Sequence, residues 1–355
     1  MTAHPVIVVL GSAGLATARR LRQIFPEARI HALKGRIDDP RAADDTFSDT
    51  MLHLRRLFLT GTPIIGVCST GILVRAVGPV LGDKFSEPPV VAVAADGSAV
   101  VPVLSGHRGA NAMARSIARL FDVRAAVTTA GDARFGLALD EPPPGWKVAN
   151  PVAAKGIMAA LVDERPVSLR TEAGDAGWIT RSGAAFVASA ALTIRVTDRE
   201  SPLEDRTLVL HPPTLCVGIG CERGTSPEEV TELVFGTLAA NGLSPQSVAC
   251  VVSVDVKADE RAVHVLAGEL GVPSRFLTPA ALEVLTPRLK NPSEIVFREI
   301  GCHGVAEAAA LAGAGDEGVL IVPKTKSARA TCAVARARDG IDPSRVGRAR
   351  GWLQV

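Results

Sequence analysis

The sequence predicts an α/β protein with two open α/β domains, each with a mostly parallel sheet, joined by a small α+β middle region. Apolar runs rich in β-branched residues alternate with segments of helical periodicity at both ends of the chain. The 355 residues exceed what one core usually supports, so two or three domains are expected. Aromatic residues make up only 4% and tyrosine is absent, so Val, Ala, Leu and Ile must fill the interior.

The amino-terminal domain is predicted to cover residues 1–140 in strand-helix-strand order. Its strands are expected at 6–10, 30–33, 64–67, 89–94, 99–104 and 125–128. Its helices are expected at 13–24, 47–59, 70–80 and 109–121. A linker rich in proline and glycine follows at 141–147, and opens a middle region predicted at 141–212. That region should contain a helix at 151–163 and strands at 166–170, 184–190 and 192–197.

The carboxy-terminal domain is predicted to cover residues 213–337. Ser226, Pro227 and Glu229 have the spacing of an N-cap, a first-turn proline and a capping-box glutamate, which predicts a helix that runs to about 240. Strands are expected at 215–219, 248–254, 274–277, 318–323 and 330–335, and further helices near 259, after 279 and at 305–311. Residues 338–355 are basic without periodicity, so they are predicted to form a tail.

Composition excludes several classes of protein. The 39 basic and 37 acidic residues give a net charge of +2, which is too even for an electrostatic nucleic-acid binder. No stretch of about eighteen apolar residues or signal peptide is present, so no membrane association is expected. Six scattered cysteines indicate reduced thiols and a cytoplasmic protein. Cysteine and histidine lack the short paired spacing of zinc ligands, so no protein-held metal is expected.

Two motifs raise the possibilities of nucleotide binding and of covalent catalysis. The loop at 11–16, GSAGLA, has no acidic residue well placed at the end of the second strand, so dinucleotide binding is disfavoured. Cys68 or Ser69 could act as a nucleophile on a strand-to-helix turn, but the GxSxG elbow is absent. Ser69, Thr70 and Gly71 are instead predicted to bind substrate at a helix start.

The stretch 66–111 carries the densest set of chemical groups. His107 follows Gly106 in a loop, where an imidazole with a pKa near neutrality can move a proton in either direction. Its turn also contains Ser105, Arg108 and Asn111. These residues form the centre of a predicted catalytic site, with Gly106 and Arg108 as substrate-binding residues.

Four further side chains complete this predicted site. Arg75 can pair with a carboxylate through two hydrogen bonds, and Lys84 offers a point charge. Asp83 and Glu87 are alternative acid or base groups.

A second candidate site lies in the carboxy-terminal domain. The glycines of its first loop let the backbone approach a ligand before a helix N-terminus, which favours an anion. The predicted substrate-binding residues of this loop are Gly218, Gly220, Glu222, Arg223, Gly224 and Thr225. Strand ends and helix starts elsewhere in the domain add Lys257, Glu260, Glu307 and Lys324.

The chain resembles the cobalt-precorrin-5A hydrolase family, usually called CbiG. The resemblance is carried by STGILVRAVGP and VLSGHRGANAMA in the amino-terminal half, and by VGIGCERGTSPEEV, SEIVFREIGCHGVAEAAAL and LIVPKTKSARATCAVAR in the carboxy-terminal half. These motifs occur in one order over residues 5–336. The family turn usually has the form SGHxGGAN, and SGHRGAN is one glycine shorter. The carboxy-terminal domain also resembles a stand-alone cobalamin-biosynthesis protein, CobE.

The resemblance implies hydrolysis of the ring A δ-lactone of cobalt-precorrin-5A, with release of acetaldehyde and formation of cobalt-precorrin-5B. The substrate then carries the cobalt, and no cofactor is expected. We expect His107 to be the general base, Lys84 or Arg75 the electrostatic stabiliser, and Ser105 and Asn111 the orienting groups. Neighbouring methyltransferases of the pathway and a second copy of the chain are candidate partners.

Two alternatives from other classes stay open at this point. The first is a non-catalytic carrier of corrinoid intermediates, in which the glycine loop at 218–225 would hold peripheral carboxylates. The second is a nucleotide-dependent α/β enzyme that uses the glycine loops.

Overall fold

The computed structural model describes residues 4–83, 86–128, 130–342 and 352–353, without the side chains of Pro40, His107, Ala130, Asp132, Ala133, Trp352 and Leu353. Lys84 and the His107 side chain, both assigned roles from sequence, therefore lie outside the described residues. The chain divides into two compact units, Met1–Ala133 and Arg134–Val355.

The amino-terminal unit is built on a six-stranded sheet with the order β3-β2-β1-β4-β5-β6. Its strands are β1 (Val6–Val9), β2 (Arg29–Leu33), β3 (Asp45–Phe47), β4 (Ile64–Val67), β5 (Val90–Val93) and β6 (Val100–Leu104). Its helices are α1 (Leu15–Leu21), α2 (Thr50–Leu59), α3 (Thr70–Val77) and α4 (Ala110–Phe121). All neighbouring strands are parallel except β5 and β6, which are antiparallel. The central strands are buried on both faces, as their continuous apolar sequence requires.

The second unit begins with a small four-stranded sheet of order β7-β10-β9-β8. Its strands are β7 (Lys147–Val148), β8 (Val167–Thr171), β9 (Leu192–Val196) and β10 (Thr207–His211). The accompanying helices are α5 (Ala130–Phe135), which crosses the boundary between the units, α6 (Pro151–Val162) and α7 (Gly177–Thr180). Pro151 occupies the first turn of α6, a position where its missing N–H has no cost.

The rest of the second unit surrounds a six-stranded sheet of order β14-β15-β11-β12-β13-β16. Its strands are β11 (Leu215–Cys221), β12 (Val248–Val254), β13 (Ser274–Leu277), β14 (Val319–Lys326), β15 (Ala330–Arg336) and β16 (Trp352–Leu353). Its helices are α8 (Pro227–Ala240), α9 (Arg261–Leu270), α10 (Pro279–Glu283), α11 (Glu294–Ile300) and α12 (Val305–Ala314). The three central strands are parallel, and the strands outside them are antiparallel to their neighbours.

The predicted fold class with two α/β domains is confirmed. The middle region was predicted to be α+β, but β8, β9 and β10 are parallel to one another and only β7 is antiparallel. Several individual elements differ from the prediction. Residues 125–128 form only one bridge, from Ala125 to Val100, and residues 184–190 only one, from Val187 to Ser168. Strands β3, β7 and β10 were not predicted. β3 and β7 have only three and two residues, and β10 lies between the charged segment 198–206 and the prolines at 212–213. Part of the predicted tail, β16, pairs with β13.

Helix α12 packs unusually close to β11, and Gly218 makes this approach possible. A Cβ atom at position 218 would lie 2.0 Å from Ala306 O and 2.5 Å from Ala310 N. Neither backbone atom can move without shifting the helix. Gly218, predicted to bind substrate, therefore has a packing role between helix and sheet, and its substrate-binding role stays a prediction.

Among the described residues, no helix combines the length and the apolar character that crossing a bilayer requires.

Replacing Gly218 by alanine should destabilise the second unit by about 3 kcal/mol, the upper part of the usual range for overpacking, because the clash is with backbone. Urea denaturation followed by circular dichroism measures the loss. Gly236→Ala is the matched control, since Gly236 is exposed within α8 and a Cβ there meets nothing within 4 Å. It should gain about 0.5–1 kcal/mol from helix propensity. Equal stability of the two variants would contradict this account of Gly218.

Candidate functional site

The predicted site residues of the amino-terminal unit lie at opposite edges of one sheet. Ser69 follows β4, which is parallel to β5, whereas Ser105 follows β6, which is antiparallel to β5. Counted along these paired strands, the two serines are about six residue steps apart, or about 20 Å. The sequence suggested that the residues of the stretch 66–111 form one site. The structure instead separates Ser69, Thr70 and Gly71 from the turn that contains His107.

The turn after β6 is held in a strained conformation. Ser105 has φ 57° and ψ 43°, in the left-handed region that non-glycine residues rarely adopt. Its hydroxyl donates a hydrogen bond to Glu87 O at 3.0 Å. The Glu87 carboxylate in turn accepts from Gly82 N at 2.9 Å. The structure therefore brings Ser105 and Glu87 together as predicted neighbours, and places Asp83 on the same connection.

Asn111 lies beneath this turn with its amide almost fully buried, at 3% exposure. Its Nδ2 atom has no hydrogen-bond partner among the described residues. A Cβ atom at Gly106 would approach Asn111 Oδ1 to 3.0 Å, so glycine at 106 lets the turn pack directly on the amide. A buried unpaired donor costs about 1–3 kcal/mol, so this amide calls for a partner such as bound water or a ligand.

At the other edge, Ser69 is the N-cap residue of α3 and its side chain makes no capping hydrogen bond. A shallow cavity of about 270 Å³ lies there, lined in part by Cys68, Ser69 and Thr70. Burial raises the pKa of the Cys68 thiol to about 11, so this cysteine is not a thiolate nucleophile near neutral pH. The Arg75 guanidinium lies 3.4 Å from Gly71 O on its own helix.

A second cleft, of about 430 Å³, lies in the carboxy-terminal domain. It opens at the carboxyl ends of β11 and β12 and beside the start of α12, where ligands usually bind in an open α/β sheet. Five residues predicted from sequence line it: Gly220, Glu222, Lys257, Glu307 and Lys324.

The Glu307 carboxylate, only 2% exposed, holds the walls of this cleft together. It accepts hydrogen bonds from the backbone N–H groups of Lys290 at 2.7 Å, Asn291 at 3.0 Å and Lys324 at 2.9 Å, and from Asn291 Nδ2 at 2.7 Å. Desolvation acts to raise the pKa of Glu307, but these hydrogen bonds outweigh it and lower the pKa. Glu307 is therefore a fixed anion that positions the cleft rather than a proton carrier.

The polar groups of the glycine loop after β11 have partners within the chain. Gly224 N donates to the Glu260 carboxylate at 3.3 Å, and Arg223 pairs with Asp259 at 2.9 Å. The Thr225 hydroxyl donates to Glu222 O at 2.8 Å. The anion position that the sequence predicts at this loop is thus occupied by the carboxylate of Glu260.

Sequence reasoning missed several polar residues of the cleft. They are Asn291, Ser293, Lys326, Ser327, Arg329 and Thr331. Lys326 and Arg329 flank the turn between β14 and β15, so a signal was present: the motif KTKSAR places three cations around one hairpin. No group of three or more His, Cys, Asp and Glu side chains suited to a metal occurs among the described residues.

Family models identify the class of protein to which the chain belongs. Three family models match in order: "Cobalamin synthesis G N-terminal" at 52–132, "Cobalamin biosynthesis central region" at 143–212 and "Cobalamin synthesis G C-terminus" at 215–335. The sheets described above thus belong to a three-part α/β protein of cobalamin biosynthesis.

Curated relatives define the family more narrowly. The chain is 28% identical to the cobalt-precorrin-5A hydrolase of Priestia megaterium, over 93% of this chain and 94% of that protein. It is 30% identical to the cobalt-precorrin-5A hydrolase of Salmonella typhimurium, over 85% of this chain and 89% of that protein. Protein CobE of Sinorhizobium sp. is 51% identical over 34% of this chain and 79% of its own length. The chain belongs to the cobalt-precorrin-5A hydrolase family.

Glu307→Gln should destabilise the protein by about 3 kcal/mol, because an amide nitrogen replaces one oxygen and faces backbone donors. Glu307 has a lowered pKa, so its contribution is complete above the ordinary value of 4.5 and is lost as pH falls through the lowered value. Urea denaturation at pH 7 and at acidic pH should therefore show the gap between parent and variant narrowing in acid. Glu299→Gln, an exposed cleft residue, is the control and should change little. If the difference in stability between the parent and Glu307→Gln is as large in acid as at pH 7, Glu307 is not ionised in the folded protein.

Proposed function

We propose that this chain is a cobalt-precorrin-5A hydrolase, which opens the ring A δ-lactone and releases acetaldehyde to give cobalt-precorrin-5B. The observation that carries the proposal is the likeness to two hydrolases of that name over nearly the whole chain. The enzyme is further proposed to work in the cytoplasm without a cofactor of its own, because the cobalt arrives with the substrate.

The chemistry requires one water molecule and no redox partner. Water loses a proton to a general base and adds to the lactone carbonyl carbon, the acyl C–O bond breaks, and the water oxygen stays in the ring A carboxylate. The released alkoxide forms a C=O bond, breaks its C–C bond to the macrocycle and leaves as acetaldehyde, while that electron pair returns to the macrocycle. The protein must therefore supply a base and donors for an oxyanion.

The turn after β6 is the proposed place for these groups. His107 is the proposed general base, with Asp83 and Glu87 as alternatives. Ser105 and Asn111 orient it or the substrate, and Lys84 stabilises negative charge. Arg75 is the alternative stabiliser, but its guanidinium lies beside Gly71 O at the other edge of the sheet. The support for this assignment is the left-handed Ser105 and the unpaired buried Asn111 amide, since strain and unpaired donors concentrate at functional sites.

A specific observation favours a second candidate, a non-catalytic corrinoid carrier. Protein CobE is matched over 79% of its own length by only 121 residues of this chain, and the motifs that resemble CobE lie in the carboxy-terminal domain. A domain of this kind therefore occurs without the amino-terminal turn that bears the proposed base, and such a domain could bind an intermediate without changing it.

Anaerobic incubation with enzymatically prepared cobalt-precorrin-5A separates the two candidates. The hydrolase should release one acetaldehyde per corrinoid, with the matching mass loss. His107→Gln should lower kcat by about 10²-fold or more, because a positioned base contributes about 10²–10⁴-fold. His4→Gln, at an exposed histidine, is the control. Retained corrinoid mass in a stable complex would identify a carrier, and an unchanged rate in His107→Gln would refute the base assignment.

Gly106→Ala should lower kcat about 3- to 10-fold while the free energy of unfolding changes by less than about 1 kcal/mol. The added methyl group must push the Asn111 amide aside by a few tenths of an ångström, and small misplacements of orienting groups slow catalysis. Gly82→Ala is the control on the same edge, because a Cβ there meets nothing within 4 Å. Identical rates in both variants would show that the position of Asn111 does not matter.

A further inference from the structure

We propose that the 430 Å³ cleft of the carboxy-terminal domain binds one carboxylate-bearing edge of an apolar macrocycle, with the Lys257 ammonium as the central contact. That the macrocycle is a corrinoid rests on the proposed function. The carboxylate and apolar character of the ligand rests on the cleft alone.

Lys257 is a buried cation without a close partner. The residue is 8% exposed and lines the cleft at the end of β12. Its nearest anion among the described residues is Glu260 Oε2 at 3.9 Å, beyond hydrogen-bond distance. Glu260 is itself 6% exposed and already accepts from Gly224 N. The side chain is therefore largely withdrawn from solvent while its ammonium makes no hydrogen bond within the described residues, and a ligand carboxylate in the cleft would supply one.

Basic side chains in the cleft lining outnumber acidic ones, four (Lys257, Lys324, Lys326 and Arg329) against three (Glu222, Glu299 and Glu307). Arg329 is paired with Glu222 at 3.0 Å. Glu307 attracts Lys324 through its charge, but it accepts its hydrogen bonds from N–H groups and not from a lysine ammonium. Lys324 donates only to a neutral carbonyl, Asn291 O, at 3.0 Å. Burial lowers the pKa of Lys324, and the neighbouring charge of Lys326 lowers it further. An anion bound between these lysines would relieve that repulsion.

The amino end of α12 also favours an anion in the cleft. The N-cap residue is Gly304, which has no side chain that could cap the helix. Gly304, Val305 and Ala306 all line the cleft. The positive end of the helix dipole therefore faces the same space as the lysines.

One wall of the cleft is apolar, which distinguishes it from a site for a small inorganic anion. Val296 and Ile300 of α11 line it, together with Val254, Val305 and Ala330. The volume lies within the usual range for small-molecule sites but suits an edge of a tetrapyrrole rather than the whole ring. The arrangement fits a flat apolar body whose fringe ends in carboxylates.

The cleft is suited to binding rather than to covalent chemistry. Cys221 is the thiol that lines it, and burial raises its pKa above the ordinary value. A protonated thiol is a poor nucleophile, so the cleft supplies recognition.

Equilibrium dialysis of the full-length protein tests the proposal with two corrinoids. The probe is cobyrinic acid, whose side chains end in carboxylates, and the matched ligand is cobinamide, in which the same chains end in amides. Cobyrinic acid should bind at least 10-fold more tightly. Lys257→Met should weaken its binding by about 10- to 100-fold, the value of one charge-assisted hydrogen bond, and leave cobinamide unaffected.

Lys326→Met is the second variant, because Lys326 is exposed and its loss does not threaten folding; it should weaken binding about 3- to 10-fold. Lys147→Met, an exposed lysine of β7, is the control. Equal affinity for the two corrinoids, or unchanged affinity in both cleft variants, would overturn the proposal. If binding depends on the lysines but cobalt-precorrin-5A releases no acetaldehyde, the cleft proposal holds and the hydrolase proposal is refuted. If the protein turns over cobalt-precorrin-5A but the lysine variants bind as the parent does, the hydrolase proposal holds and the cleft proposal is refuted.

Discussion

The buried carboxylate of Glu307 is the interaction on which the carboxy-terminal domain depends. It joins the start of α12, the segment at 290–291 and the β14 strand through four hydrogen bonds. The partner groups lie 16 or 17 residues from Glu307 on either side in the sequence, so one carboxylate ties together three consecutive parts of the domain. These hydrogen bonds hold the cleft walls at a fixed separation around a carboxylate that stays ionised.

Much of the fold could be predicted because its signals are local. Continuous apolar β-branched runs predicted β1, β4 and β12, since strands buried on both faces need no alternation. The capping box at Ser226 and Glu229 predicted the start of α8, and the Ser226 hydroxyl indeed accepts from Glu229 N at 3.2 Å. Strands such as β3, with two of three residues exposed, left no such signal.

The candidate site was harder to predict because it depends on strand direction. Asp96-Gly97 lies between β5 and β6, and Gly97 has φ +79°, as a tight hairpin turn requires. That dipeptide was the available sign that the two strands are antiparallel, and it places Ser69 and Ser105 at opposite edges. In the carboxy-terminal domain, the glycine loop predicted a site for substrate carboxylates, but sequence spacing could not show that the carboxylate of Glu260, 36 residues further along the chain, accepts a hydrogen bond from Gly224 N.

Strand β14 lies at the edge of its sheet, with Lys324 and Lys326 near its end. An edge strand exposes backbone groups that can pair with the edge of another molecule, and charged side chains are a common protection against this. The lysines that attract an anion therefore also keep two β14 edges apart. Their charge serves colloidal stability as well as recognition, so a sequence that abandoned the ligand would still have reason to keep them.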